Sequence, residues 1–330
     1  MTRTFPAVAF NPAIGKLEDV TVPMTEPQGE DLLVRVSAVS VNPVDLRRRQ
    51  MIPNDAPLVR LGYDAAGVVE AVGPDASGFR PGDRVFYAGA ANRDGANGAY
   101  HLVDARLVGH APKSLSDADA AAMPLTALTA WESLFERLGH SASFDGSQPG
   151  RLLVINGAGG VGSVALQLAK LAGLHATATA SRAQSADWCR AMGAAEVVDH
   201  AALAELPDMS FDSILCAYDA DGYFETMARL IAPQGMICTI LGLRQPQNLM
   251  PLFQKSAGIV WEYMFTRSTH ATADRGRQGE ILTQVAGLMD SGALKTTRSV
   301  TMKGLNAQSL QEAHDRLAQE RMTGKLVLTL

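Results

Sequence analysis

The hydrophobic positions of this chain change rhythm near residue 125 and again past residue 270. Before the first change, short apolar runs at 32–39, 66–72 and 83–87 are separated by the turn signals Gly73-Pro74, Ser77-Gly78 and Pro81-Gly82-Asp83. Many short strands with such punctuation predict a compact barrel or sandwich. Between 125 and 139, Trp131, Leu134, Phe135 and Leu138 fall at helical spacing and predict a helix ending at Gly139. From Leu152 strand and helix alternate. Strands are expected at 152–156, 175–180, 196–199, 211–217 and 236–241, and helices at 160–172, 184–192 and 222–231. Pro233-Gln234-Gly235 reads as the turn before the fifth strand, and residues 259–265 offer a sixth at the sheet edge. Repeated βα units imply a parallel sheet with helices on both faces. The remainder predicts a helix, a strand at 298–302, a helix near 309–317 and a last strand at 325–330, β-rich enough to rejoin the first domain. The expected fold class is α/β, a doubly wound parallel sheet inserted in a β-rich domain.

The most informative stretch is Arg151-Leu152-Leu153-Val154-Ile155-Asn156-Gly157-Ala158-Gly159-Gly160-Val161-Gly162. An apolar strand, a glycine turn and an amphipathic helix follow one another, which is the context that gives Gly-x-Gly-x-x-Gly its meaning. Gly157 permits a sharp turn, Gly159 lets backbone approach a pyrophosphate, and Gly162 allows close helix–strand packing. Backbone N–H groups of Gly160, Val161 and Gly162, at the start of the helix, are then available to phosphates. In such a unit an acidic residue about 20 positions on usually binds the adenosine ribose. Here the second strand, 176–180, ends in Ser181-Arg182, and no acid follows until Asp187. A carboxylate would repel a 2′-phosphate, whereas a hydroxyl and a guanidinium can hold one. NADPH is therefore expected over NADH.

Composition narrows the classes. At 330 residues, 47% hydrophobic and 19% charged, the chain has room for about two globular domains and is not disordered. With 29 basic against 34 acidic residues its net charge is −5, and no basic run stands out. That argues against nucleic acid or an anionic membrane as partner. No apolar run reaches the ~18 residues of a membrane span, and the apolar stretch at the N-terminus is too short for a signal peptide. Cys189, Cys216 and Cys238 are too few and scattered for a disulfide framework. They read as buried thiols in a cytoplasmic protein.

Four motifs, in order and spacing, carry a resemblance over the whole chain. They are Val41-Asn42-Pro43-Val44-Asp45, Gly62-Tyr63-Asp64-Ala65-Ala66-Gly67-Val68-Val69, the run from Pro124 through Thr129 to Glu132, and the glycine turn. Gly324-Lys325-Leu326-Val327-Leu328 is a weaker fifth. The chain resembles the medium-chain dehydrogenase/reductase superfamily, in particular the quinone oxidoreductase-like branch labelled zinc-type alcohol dehydrogenase-like. The resemblance implies a GroES-like catalytic domain at 1–125 and 270–330, with a Rossmann domain at 126–269 between them. Zinc-dependent members place cysteine where this chain has Asn42, and a histidine–glutamate pair at Tyr63-Asp64. Their third ligand lies before Thr129, where no cysteine or histidine occurs, and residues 86–110 lack the cysteines of a structural zinc site. Zinc is served by thiolate and imidazole, and Asn and Tyr are poor substitutes. His101 and His110 are the nearest alternatives. No metal is expected.

Without a Lewis acid an alcohol is hard to oxidise, because nothing holds the alkoxide. A quinone or an α,β-unsaturated carbonyl is an easier partner, accepting hydride at carbon and spreading charge onto oxygen. The resemblance places Asn42 and Asp45 beside the nicotinamide and its ribose in the interdomain cleft, and Tyr63 at a former zinc-ligand position. Tyr63 reads either as donor to the substrate oxygen or as a packed aromatic. Thr129, Gly242, Phe265 and Thr266 are expected around the nicotinamide, and His200 either over the adenine or in an exposed loop. Lys325 is expected either to reach the cofactor or to pair locally, with the first favoured. Leu249, Met250, Leu252 and Phe253 line either the substrate pocket or a dimer contact. A homodimer joined edge to edge through 259–265 is implied, as in this superfamily. Two rival functions stay open: a non-enzymatic NADPH-binding protein and a true zinc alcohol dehydrogenase.

Overall fold

The computed structural model describes residues 3–319 and 322–330. Its strands, in chain order, are β1 (Thr4–Asn11), β2 (Lys16–Pro23), β3 (Asp31–Ser40), β4 (Asp64–Val72), β5 (Arg84–Tyr87), β6 (Tyr100–Asp104) and β7 (Val108–His110). They continue with β8 (Arg151–Ile155), β9 (His175–Thr179), β10 (Glu196–Val198), β11 (Phe211–Cys216), β12 (Ile231–Thr239), β13 (Gly258–Trp261), β14 (Arg298–Lys303) and β15 (Lys325–Thr329). The α-helices are α1 (Pro43–Met51), α2 (Asp117–Ala121), α3 (Pro124–Trp131), α4 (Gly160–Ala172), α5 (Ala183–Ala191), α6 (Phe224–Leu230), α7 (Met250–Gln254), α8 (Thr266–Thr269), α9 (Arg277–Asp290) and α10 (Ala307–Gln319).

One compact unit comprises Met1–Leu125, Phe265–Gly292 and Thr296–Leu330. β3 organises it. On one edge it pairs antiparallel with β4, and on the other β6 takes Asp31 to Arg35 while β15 takes Ala38 to Ser40. The last strand does rejoin the first ones, with Val327 opposite Ser40. Val8, Leu32, Val34, Val36, Val39, Val69 and Val85 form its core with Leu310 of α10 and Leu326 and Leu328 of β15. Removing that apolar surface from water is the main drive for holding both chain ends together.

The other unit, Thr126–Met264 with Ala293–Lys295, holds the parallel sheet. Its order is β10-β9-β8-β11-β12-β13, which counted from β8 reads 3-2-1-4-5-6. This is the doubly wound arrangement the alternating pattern predicted, and its order reverses between β8 and β11. Leu153, Ile155, Ile214, Phe224, Met227, Leu230 and Ile237 fill its core. All three cysteines are buried and free, and burial pushes their thiols up, Cys238 to about 12. Among the described residues no helix is long and apolar enough to cross a membrane.

Several elements differ from expectation. Residues 43–51, for which no element was expected, form α1, because Asn42 caps a helix whose first residue is Pro43. Pro233-Gln234-Gly235 does not precede the fifth strand but interrupts it. The β11–β12 register jumps from Phe211↔Ile231 to Ser213↔Met236, and Gln234 takes φ 62°. The helix expected to end at Gly139 does end there, at φ 74°, but past α3 it is π-helical over Glu132–Arg137. The edge strand is shorter than 259–265, and Phe265 and Thr266 belong to the first unit.

Gly67 marks how tightly β3 and β4 pair. A Cβ there would lie 2.2 Å from the Arg35 carbonyl oxygen. Gly67→Ala should therefore lower stability by about 1–3 kcal/mol through forced strand separation. Chemical denaturation checks this, and a midpoint equal to wild type would refute it.

Candidate functional site

The glycine turn is built at the point where the sheet order reverses. Asn156, just past β8, takes φ 68°. Its N–H donates to Thr179 Oγ1 at 2.8 Å, its side-chain amide donates to the Ala217 carbonyl at 3.4 Å, and Gly157 N–H donates to the Thr179 carbonyl at 3.2 Å. The turn is thus tied to the strands on both sides of β8. A Cβ on Gly157 would meet the Ala178 methyl at 2.7 Å, and one on Gly162 would meet the Asn156 carbonyl oxygen at 2.4 Å. Only glycine lets α4 start this close to the turn. Gly159, at the N-cap, offers no side-chain cap. The N–H groups at Gly160, Val161 and Gly162, which an α-helix cannot satisfy internally, are left for an anion. Ser163 turns inward, its N–H and Oγ both donating to the Gly159 carbonyl. These residues fit the pyrophosphate of a dinucleotide.

Ser181 and Arg182 lie exposed between β9 and α5. Arg182 N–H donates to Ser185 Oγ, which starts the helix. Asp187, the first acid beyond, pairs with Arg190 on α5 at 2.9 Å. His200 follows β10 and its Nδ1 lies 2.9 Å from the Tyr223 hydroxyl. Gly242 lies past the end of β12 with open space where a Cβ would sit, and Thr129 is buried on α3.

In the first unit, three neighbouring strands gather a buried polar cluster. Asn42 follows β3, Asp64 opens β4 and Lys325 opens β15. Lys325 is 4% exposed. Its Nζ donates to the Val41 carbonyl at 2.9 Å, to Asp64 Oδ2 at 3.0 Å and to Asn42 Oδ1. Asp64 Oδ2 also accepts from Ser40 Oγ at 2.8 Å and Asn42 Nδ2 at 2.9 Å, while Oδ1 accepts from Leu125 N–H at 2.7 Å. Asp45, on α1, accepts from Asn42 N–H through Oδ2 at 2.7 Å, and its Oδ1 has no hydrogen-bond partner. Burial pushes the Asp45 carboxyl up to about 7 and the Asp64 charge adds to that, while the Asn42 and Gly62 amides and the Lys325 ammonium oppose it. Tyr63 is buried with its ring 4.6 Å from that of Phe265, and Thr266 follows as the first residue of α8.

Asn42, Asp45 and Lys325 are therefore brought together, as are Tyr63 and Phe265. For Lys325 the structure shows the local pairing, its Nζ donating to Val41, Asn42 and Asp64. Asp64 and Ser40 were missed. The signal for Asp64 was an acid at the head of an otherwise apolar strand, Asp-Ala-Ala-Gly-Val-Val, where an unpaired charge is rarely tolerated.

The alcohol dehydrogenase GroES-like domain family matches residues 28–124, and the zinc-binding dehydrogenase family matches 192–328. A zinc-type alcohol dehydrogenase-like protein of Staphylococcus aureus (strain COL), SACOL2177, is 42% identical over 309 residues, 92% of each chain. The chain belongs to the medium-chain dehydrogenase/reductase superfamily, among the zinc-type alcohol dehydrogenase-like proteins. It is an oxidoreductase of that superfamily and has a site for a nicotinamide cofactor. A 2-methylene-furan-3-one reductase of Solanum lycopersicum is 30% identical over 327 residues, 95% of this chain and 75% of that one. The structure of a quinone oxidoreductase from Pseudomonas syringae pv. Tomato DC3000 superposes with a TM-score of 0.82 at 25% identity, covering 99% of this chain and 100% of that one.

Zinc, which the label of this family implies, does not fit the residues present. The carboxamide of Asn42 and the carboxylate of Asp64 already hold an ammonium. His101 lies between the Tyr87 hydroxyl and the Asp94 carbonyl, and burial lowers it to about 3, so it is neutral there. His110 is turned to the Gly78 carbonyl. Among the described residues no three His, Cys, Asp or Glu side chains are grouped to hold a metal.

The raised Asp45 carboxyl has a definite consequence for stability. Between its ordinary value near 4 and about 7 the folded protein holds a proton that the unfolded chain releases. Stability is therefore lost as pH rises through that window. Asp45→Asn keeps an acceptor for Asn42 N–H but does not titrate. Relative to wild type it should gain on the order of 1 kcal/mol or more between pH 4 and pH 8. Parallel denaturation midpoints across that range would contradict the assignment.

Proposed function

We propose that this chain is a zinc-independent, NADPH-dependent reductase of quinones or α,β-unsaturated carbonyls. The observation that carries the reading is the Lys325 ammonium held by Asn42 and Asp64. The residues at the family's metal positions are committed to an organic cation, so a Lewis acid for alkoxide chemistry has no ligand set here. A conjugated acceptor needs hydrogen-bond donors for its developing oxyanion rather than a metal. The reductase of a methylene-furanone among the relatives, and the quinone oxidoreductase among the similar structures, support this acceptor class.

NADPH supplies the hydride when bound. The N–H groups at Gly160, Val161 and Gly162 hold its pyrophosphate, with Gly157 and Gly159 shaping the turn. Ser181 and Arg182 hold the 2′-phosphate. The His200 ring, oriented by the Tyr223 hydroxyl, borders the adenine. Thr129 and Gly242 border the nicotinamide, as do Phe265 and Thr266. Asn42 and Asp45 serve the nicotinamide ribose, where the unpartnered Asp45 Oδ1 is suited to a hydroxyl. The Tyr63 hydroxyl donates to the substrate oxygen, and the Phe265 ring fixes its plane. Two copies pair through the exposed edge of β13, where Trp261 is half-exposed, beside exposed Met250 and Phe253 of α7. The three buried thiols suit a reducing cytoplasm.

Turnover with a panel of small quinones and enones should be supported by NADPH at concentrations well below those needed for NADH. Arg182→Ala should raise the KM for NADPH about tenfold or more, through loss of a charge-assisted bond, and leave that for NADH unchanged. Equal use of the two cofactors by wild type would sink the assignment. Tyr63→Phe should lower kcat about 100-fold with little change in the KM for NADPH. Wild-type turnover in that variant would remove the hydroxyl from the mechanism.

A further inference from the structure

We propose that Lys325 is the resident cation of the Asn42–Asp64 cluster, a positioning residue whose ammonium locks the Asn42 carboxamide in one orientation and keeps divalent metal ions out. The proposal rests on the reading of this cluster as part of the reducing site. Its geometry is complete within one sheet. The end of β3, the head of β4 and the head of β15 supply Val41 and Asn42, Asp64, and Lys325 respectively, and these strands lie side by side in the order β15-β3-β4. An ammonium has three hydrogens, and three oxygens take them.

The carboxamide of Asn42 is thereby polarised from both ends. Its Oδ1 faces the ammonium, while Nδ2 faces Asp64 Oδ2 at 2.9 Å and the Ser40 carbonyl at 3.4 Å. Turning the amide over would set its NH2 against the ammonium and its oxygen against the carboxylate, so only one orientation is tolerated. Asp45 is reached through the same residue, because its Oδ2 accepts from Asn42 N–H. One buried charge at the start of β15 thus sets the groups on α1 that face the reaction.

The same charge makes the cluster unsuited to a divalent ion. Of its donors only Asp64 and Asp45 can be anionic, and Asp64 is already neutralised. A metal bound to Asn42 and Asp64 would have to take two of the three oxygens that hold the ammonium, leaving it the Val41 carbonyl, or sit in contact with a like charge. Zinc also lacks the thiolate and imidazole it is best served by. The C-terminal strand therefore contributes a cation where relatives with a different donor set would take one from solution.

Two measurements on the full-length protein test this. In the first, wild type and Lys325→Met are loaded with one equivalent of Zn2+, desalted and analysed for metal. Wild type is expected to retain a small fraction of an equivalent. Stoichiometric zinc in wild type that Asp64→Asn abolishes would overturn the proposal, whether or not the protein proves to be a reductase. In the second, kinetics with NADPH and a quinone are compared. Lys325→Met is expected to lose about 100-fold in kcat by misplacement of Asn42, with a smaller change in the KM for NADPH. Lys325→Ala should regain turnover saturably with ethylammonium and not with ethanol. Wild-type kcat in Lys325→Met, or no recovery of Lys325→Ala with ethylammonium, would overturn it. Should removal of the lysine alone prevent folding by stranding Asp64, Lys325→Met with Asp64→Asn removes both charges, and wild-type kcat in that pair would be equally decisive against it. Failure of the functional reading is distinct: wild type then oxidises NADPH with no acceptor in the panel, while the zinc measurement still decides the role of Lys325.

Discussion

A lysine ammonium shut away from water persists only where oxygens replace its hydration shell, and in this protein everything around the first-unit cluster follows from that requirement. Leaving one partner of a buried ion pair alone typically costs 3–5 kcal/mol. Lys325 and Asp64 meet that demand with bonds to Val41, Asn42, Ser40 and the Leu125 N–H. The strand that delivers the lysine is the last of the chain, and the strands it joins are among the first. The ion pair and the apolar contacts of Leu326 and Leu328 therefore act on the same element. Apolar burial brings β15 to β3, and the polar cluster selects its register. A slip of one residue would turn Lys325 away from Asp64 and Leu326 out of the core, so the two interactions exclude the same errors.

The second unit solves a comparable problem with backbone instead of charge. Its glycine turn sits where the strand order reverses, the place at which neighbouring loops diverge and leave a crevice. Contacts to Thr179 and Ala217 hold the turn from both sides, and Asn156 accepts a left-handed conformation there. Asparagine tolerates that region better than most residues because its side chain can bond locally. The close approach of α4, measured by the 2.4 Å a Cβ on Gly162 would leave, is what aims unsatisfied N–H groups at one point. The presentation of free N–H groups here is thus a property of packing and follows from the spacing of three glycines.

Much of this was legible in the residues because it depends on local pattern. The alternation after Leu152 reported the parallel sheet, and the glycine spacing reported the tight turn between β8 and α4. The last strand was recognisable from its β-rich composition alone. What escaped was of two kinds. Asn42-Pro43 satisfies both a turn and a helix start, and only the Asn42–Asp45 capping contact decides for α1. Pro233-Gln234-Gly235 has the composition of a connection, yet pairing resumes on either side of it, so tertiary context makes it a bulge. The polar cluster is harder still. Lys325 lies 261 residues from Asp64, and no periodicity links them. Lys325 read either as a cofactor contact or as a local pair, because a lone lysine at the head of a predicted strand carries no mark of its partner.

The cation in the cluster bears on what this scaffold can do. Zinc and an ammonium both place positive charge near a carboxylate and a carboxamide, but they differ in how the charge is used. A metal with an open coordination position binds a substrate oxygen directly and lowers the proton affinity of an alcohol. An ammonium whose three hydrogens are already committed does neither, and acts only on the groups that hold it. Under the function proposed above, chemistry at such a site begins with an electron-poor substrate. Conjugated carbonyls meet that condition, because their own π-system carries the developing charge to an oxygen that a hydroxyl can reach. On the proposed reading, the choice of cation in the β15–β3–β4 cluster is what sets reduction of an activated double bond apart from oxidation of an alcohol, before any residue of the substrate pocket is considered.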